Sequence, residues 1–311
     1  MISRRNIRVK VMQLLYMMEV SDNDTGTIKN PVETLRKQFD TSNELFVYLL
    51  YFLTSVARYA ETSARQRASR NLPSADDLNV NTKISGNLLL WQILENPSYQ
   101  AAVESFHVNE KIDKDLVKKI FDQLTTQETY LAYIREQSRD KAREREILKL
   151  IFTDLMLPDE SFMQHLEELF SNWDDDADMM VQLTLQFLQK PQSFNFQQLL
   201  GAEKWQFAQS LLQTTMDKKE YCLELIRPKL KNWDSERIAH LDMILMRMGV
   251  CELLYFETIP TKVTINEYID LAKAYSTPQS GQFVNGILDN IHKEMVQAGK
   301  INKIDFKNKE V

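Results

Sequence analysis

Apolar residues recur at three- and four-residue spacing along most of this chain, the period of helices with one buried face. Ile7, Val11, Leu14, Leu15 and Met18 keep that spacing and predict a first helix from about Arg4 to Val20, with Ser3 placed to cap it. A second helical run opens at about Asn43 and extends to about Ser69. Its first half is apolar almost all round, and its tail carries Arg58, Arg65, Arg67 and Arg70, which must reach solvent. Further helices are predicted near 84–95, 98–106, 113–138, 140–157, 160–171, 177–189 and 195–215. Leu241, Ile244, Leu245, Met248, Cys251 and Tyr255 then keep helical spacing while Met243, Met246, Leu253 and Leu254 fill much of the remaining circumference. A helix that apolar belongs at the centre of a bundle. Thr264 with Glu267 three residues on has the form of a capping box for a helix through Tyr275, the alternative being a start one turn earlier. Thr277 before Pro278 predicts the start of a last helix, whose buried face is Val284, Ile287, Leu288, Ile291 and Met295.

Two polar stretches interrupt the pattern. Ser21 to Pro31, with Asp22, Asn23, Asp24, Gly26 and Asn30, reads as a loop, and Asn71 to Asn81, with Pro73, reads as a linker. Composition agrees with an all-α chain: among 311 residues there are only 7 Gly and 8 Pro, and 43% are apolar, enough to bury the core of one large or two ordinary domains. The most apolar run, Phe46 to Val56, includes Tyr48, Tyr51, Thr54 and Ser55. It falls well short of the roughly twenty residues a membrane span needs, and the N-terminus lacks a secretory cleavage pattern. Cys222 and Cys251 stand on apolar helical stretches without metal-binding spacing, as expected of buried structural thiols in a reducing cytoplasm.

Charge is unevenly spread. The formal net charge is −6, yet Arg4, Arg5, Arg8 and Lys10 fall within seven residues that hold no acid. Leu150 to Gln189 holds nine acids and no Lys or Arg, and Arg135 to Lys149 mixes six basic with four acidic residues in the manner of a solvated helix face. The chain contains no GxGxxG, Walker or GxSxG motif. His165 in HLEELF is not an HExxH site, and His107, His165, His240 and His292 share no motif. A binding protein without cofactor or metal is expected, not an enzyme.

The order of short words near the C-terminus narrows this further: Met246-Arg247, Glu252-Leu253, Ile259-Pro260, Lys262-Val263, Ile265-Asn266-Glu267, Asp270-Leu271-Ala272-Lys273, Ser280 and Phe283-Val284-Asn285-Gly286. These resemble the C-terminal half of the NusB family. RRNIRVKVMQLLYMMEVSDND, with Arg4, Arg5, Gln13, Leu15 and Tyr16, is similar to that family's arginine-rich first helix, and Glu203 to Trp233 keeps the register of its preceding helix pair. The resemblance implies a NusB-like helical bundle carrying a helical extension between the first helix and the C-terminal part. The divisions are then 1–22 for the first helix, 23–200 for the extension, 201–298 for the C-terminal part and 299–311 for a loose, mildly basic tail. It also implies an RNA-binding transcription antitermination factor. Its partners would be single-stranded boxA-type RNA and the ribosomal protein NusE, within an RNA polymerase antitermination complex.

Candidate residues follow from both lines. Cations at the start of a helix oppose its macrodipole, at a cost of roughly 0.3–1 kcal/mol each, so Arg4, Arg5, Arg8 and Lys10 suit an external phosphate, or else form a solvated basic end. The residues alone favour core packing for both Tyr16 and Phe283; the resemblance adds them as aromatic contacts for unpaired bases, on a par with packing for Phe283 but second, for Tyr16, to holding the first helix in place. Gln282 stands where the family often has a basic residue, so a phosphate contact is lost there unless Lys262, Lys273 or the Arg58–Arg70 stretch replaces it. Asp242 and Glu252 match the family's acidic, partner-facing positions and would meet NusE. A competing expectation is a helical protein-interaction adaptor whose extension captures the partner and whose NusB-like part no longer contacts RNA.

Overall fold

The computed structural model describes residues 2–21, 28–191, 194–197, 199–230 and 239–304. Expectations for Asp22, Asn23, Asp24, Gly26, Trp233 and residues 305–311 lie outside these. The described residues hold α-helices and short 3-10 or π turns and no strand, an all-α fold. They divide into two compact units: residues 39–199, and residues 2–38 with 200–311.

The second unit contains α1 (Arg4–Ser21), the opening of α2 (Pro31–Ala68), and five helices whose ranges follow below. The Ser3 hydroxyl accepts from the Asn6 amide and caps α1 as expected. The second helix starts far earlier than Asn43. Asn30 accepts the Glu33 amide and Pro31 takes the first helical position, a start signal that lies among residues with turn chemistry.

The first unit continues α2 and adds α3 (Ala75–Leu78), α4 (Leu88–Leu94), α5 (Pro97–Ser105), α6 (Lys114–Leu124), α7 (Glu128–Arg135), α8 (Lys141–Leu150), α9 (Glu160–Leu169) and α10 (Trp173–Gln189). The all-round apolar stretch of α2 is its spine: every residue from Leu45 to Leu50 is fully buried, and the Phe46 ring stacks 5.8 Å from Phe196 and meets Phe187 edge-on at 6.0 Å. The predicted 113–138 helix is two, parted at 125–127. Asp113 caps α6, and the Thr125 and Thr126 hydroxyls turn back onto the Asp122 and Gln123 carbonyls. The predicted 140–157 helix becomes α8 followed by a π turn over Ile151–Met156.

In the second unit, α11 (Ala202–Asp217), α12 (Lys219–Ile226), α14 (Thr261–Tyr275), α15 (Ser280–Gln297) and α1 all pack on α13 (His240–Tyr255). Residues Ile244 to Leu253 of α13 are all buried, as its circumference requires of a central helix. Gly249 lets α15 approach, since a Cβ there would meet Leu288 Cδ1 at 2.9 Å. Cys222 and Cys251 are buried free thiols, 3.4 Å apart. Helix α14 starts at Thr261, a turn before Thr264, which is the earlier start the capping-box reading left open. One predicted cap is corrected: α15 starts at Ser280, whose hydroxyl accepts the Thr277 amide. The tail is anchored over its first residues: Lys303 Nζ donates to the carbonyls of Glu252 and Phe256 at the end of α13. No helix among the described residues is long and apolar enough to cross a membrane.

Candidate nucleic-acid interface

The basic cluster of α1 separates into surface and interior members. The Arg8 side chain is only 2% exposed, and its Nε and Nη2 each donate at 2.8 Å to the two carboxylate oxygens of Glu252, itself fully buried. The fork is bidentate, which aligns two charge-assisted bonds at once. Thr264 Oγ1 and Tyr268 OH donate to the same carboxylate at 2.9 and 3.2 Å, and Arg8 Nη1 reaches Glu267 at 3.3 Å. Burial works against the Arg8 charge, but the hydrogen bonds it donates to Glu252 and the charges around it outweigh burial and hold the guanidinium's pKa above its ordinary value. Tyr268 is pushed well above the usual tyrosine range by burial and by the Glu252 charge, so its hydroxyl stays a neutral donor.

This geometry corrects two expectations together. Arg8 and Glu252, assigned respectively to RNA and to a protein partner, satisfy each other inside the unit and tie α1 to α13 and α14. A buried charge needs a partner within the protein, and each is the other's. Lys10 is buried as well. Asp242 is 5% exposed and accepts a hydrogen bond from Ser280 Oγ at 2.7 Å, so it fixes the turn into α15 and presents no charge to a NusE-like partner. Phe283 is buried on α15 and offers no open ring face.

What remains at the surface is narrower. Arg4 is partly exposed, pairs with the exposed Glu203 at 3.0 Å and lies over the Phe207 ring, where it shares that ring with Arg8. An exposed pair of this kind is worth about 0–1 kcal/mol and yields readily to a phosphate. Arg5 is half-buried. Tyr16 is 44% exposed. Gln282 is exposed, and the aliphatic chain of Lys273 lies against Gly281 beside it, 2.7 Å from where a Cβ would stand. A cation from α14 thus sits next to the position where a basic residue is missing from α15. The sequence signal that would have separated these classes is faint: Arg8, one turn beyond Arg4, falls beside the apolar stripe Ile7, Val11 and Leu14, all fully buried.

The sequence pattern of the NusB family matches residues 168–293. Curated relatives share 44% identity over 97 residues with Transcription antitermination protein NusB of Salinibacter ruber, 44% over 91 residues with that of Bacillus mycoides and 42% over 94 residues with that of an Exiguobacterium species. The chain belongs to the NusB family. The three matches take up 31%, 29% and 30% of this chain and span 61%, 70% and 73% of the respective relatives. Most of the first unit thus stands outside the NusB match, which begins near the end of α9. No solved structure matches the chain.

Proposed function

We propose that this protein is a transcription antitermination factor that acts by binding: it holds boxA-type single-stranded RNA of nascent ribosomal transcripts together with NusE, within an antitermination complex on RNA polymerase. The observation that carries this reading is the 42–44% identity to relatives named Transcription antitermination protein NusB. Charge supports it. Residues 2–38 and 200–311 hold 22 Lys and Arg against 19 Asp and Glu, whereas residues 39–199 hold 16 against 25, so the NusB-like unit is the basic part of an acidic chain.

In this reading Arg4 and Arg5, both partly exposed, neutralise phosphates at the start of α1. Tyr16 supplies an aromatic face, and Gln282 with Lys273 contacts the strand at the α14–α15 turn. Phosphate contacts make affinity fall with salt, with a logarithmic slope of roughly −0.7 per contact for a single strand. The reading is tested by anisotropy of a labelled boxA RNA and a scrambled control at two salt concentrations, using the unaltered chain and an Arg4→Ala/Arg5→Ala variant. Preference for boxA, weakened in the variant with a shallower salt slope, is expected. Equal binding of the two RNAs would reject RNA recognition and favour the protein-adaptor role.

A further inference from the structure

A groove of about 590 Å³ in the first unit lies between the second half of α2 and the start of α6. On α2 the residues Tyr51, Ser55, Arg58, Thr62 and Arg65 recur at helical spacing along its wall, and Lys114 and Lys118, one turn apart on α6, line it from the other helix. All four cations are exposed, and none makes an ion pair among the described residues. Their neighbours do: Lys111 pairs with Glu44, Lys119 with Asp159 at 2.8 Å and Arg70 with Asp77 at 2.9 Å. Four cations without an ion pair among the described residues thus line the groove, Arg65 with its Nε on the Glu61 carbonyl at 3.3 Å, while Arg67 of α2 lies outside it. Two carboxylates, Glu61 and Asp115, also line it, leaving a positive excess in a unit that is otherwise acidic.

From this arrangement we infer that the α2–α6 groove binds the phosphate backbone of a single-stranded nucleic acid. The wall from Tyr51 to Arg65 is about 21 Å long at 1.5 Å per residue, enough for a few nucleotides. Cations along a groove with aromatic faces between them are what sequence-tolerant strand binding needs, because every base offers a face to stack and every nucleotide a charge to neutralise. Tyr51 and Tyr59 both line the groove and are partly buried. The Tyr59 ring is steadied by Phe121 at 5.3 Å and its hydroxyl by Gln66. Of the acids of residues 154–178, Asp159 reaches α6, where its charge is taken up by Lys119 at 2.8 Å. This inference goes beyond boxA recognition and does not depend on it.

The test uses the full chain and a labelled oligouridylate without a boxA sequence. Neutralising the groove with Arg58→Gln, Arg65→Gln, Lys114→Gln and Lys118→Gln is expected to weaken binding about tenfold or more and to flatten the logarithmic salt slope by about 2–3. The charge-preserving set Arg58→Lys, Arg65→Lys, Lys114→Arg and Lys118→Arg should retain both. Unchanged affinity and slope in the neutral variant would overturn the inference, as would competition by polyglutamate as strong as by unlabelled RNA, which would assign the groove to acidic peptides. Photo-crosslinking of 4-thiouridine RNA to the unaltered chain gives a readout independent of any variant. Crosslinks at Tyr51, Tyr59 or the facing turn of α6 support the groove, and crosslinks confined to other elements refute it. The Arg4→Ala/Arg5→Ala variant run in parallel separates the two sites. Loss of oligouridylate binding there and not in the groove variant would sink this inference and leave the proposed function standing, whereas an unaltered chain that shows no boxA preference but loses oligouridylate binding in the groove variant would do the reverse.

Discussion

Removing the Glu252 carboxylate probes the buried ion pair that ties α1 to α13 in the second unit. In Glu252→Ala the Arg8 guanidinium keeps its place, 2% exposed, and loses both short bonds, while the Thr264 and Tyr268 hydroxyls lose their acceptor. The remaining carboxylate, Glu267, is 3.3 Å away and partly exposed, so it compensates only in part. Breaking a buried pair by deleting one member costs about 3–5 kcal/mol, chiefly because the other charge stays behind. Arg8→Met should cost less, since the two hydroxyls still donate to Glu252. The double variant Arg8→Met/Glu252→Leu leaves neither member of the pair as an uncompensated buried charge and should recover at least about 1 kcal/mol relative to the sum of the singles, a coupling in the range found for contacting residues. Urea unfolding followed by circular dichroism gives the free energies, and amide exchange in α13 assigns the loss to this unit. The reasoning fails if Glu252→Ala loses under about 1 kcal/mol, or if the two single losses simply add. It fails differently if Glu252→Ala keeps its stability and binds RNA more tightly, because Arg8 would then be a phosphate ligand released from restraint.

Other substitutions probe packing and charge elsewhere. Gly249→Ala pushes a methyl onto Leu288 at 2.9 Å and Tyr268 at 3.3 Å; overpacking costs about 1–3 kcal/mol against a helix-propensity gain of up to about 1, so a net loss is expected in urea unfolding. Gly286→Ala meets nothing within 4 Å on the exposed side of α15 and should stabilise by about 0.5–1 kcal/mol, and a loss there would mean the position is closed by something unseen. Burial alone would raise the Asp159 carboxyl, but hydrogen bonds from Lys119, the Phe162 amide and Gln123 outweigh it and hold its pKa below the model-compound value of 3.8. Its contribution is therefore complete above about pH 4 and vanishes as the pH falls through the lowered folded value, so Asp159→Asn should flatten that part of the stability profile relative to the unaltered chain. Lys303→Met removes the donor to the Glu252 and Phe256 carbonyls and should cost about 1 kcal/mol, with faster amide exchange at the end of α13.

Helix periodicity carried much of the fold because each helix buries a stripe that its own sequence displays. The Ser3 cap, the central role of α13 and the inward face of α15 all follow from residues within a turn or two of one another. The errors have a common cause in interactions between distant residues. Glu252 and Asp242 look like exposed acids until Arg8, 244 positions from Glu252, and Ser280, 38 positions from Asp242, are brought against them. Thr264 has the form of a cap until its hydroxyl is found on Glu252, which decides for the earlier of the two starts of α14, at Thr261 after Pro260. In the cluster Arg4 to Lys10 the four charges are alike in the sequence, and only the third dimension separates Arg5 at the surface from Arg8 in the core. The groove between α2 and α6 was half legible: the arginines of α2 marked a solvent-facing stretch, but nothing local places Lys114 and Lys118 opposite them.

The most direct test of the account is transcription by RNA polymerase on a template with boxA upstream of a terminator, with NusE present and this protein added or withheld. Readthrough that rises with the protein, requires boxA and falls with Arg4→Ala/Arg5→Ala is the predicted result. Readthrough indifferent to the protein, or equal on templates with a scrambled boxA, would contradict it.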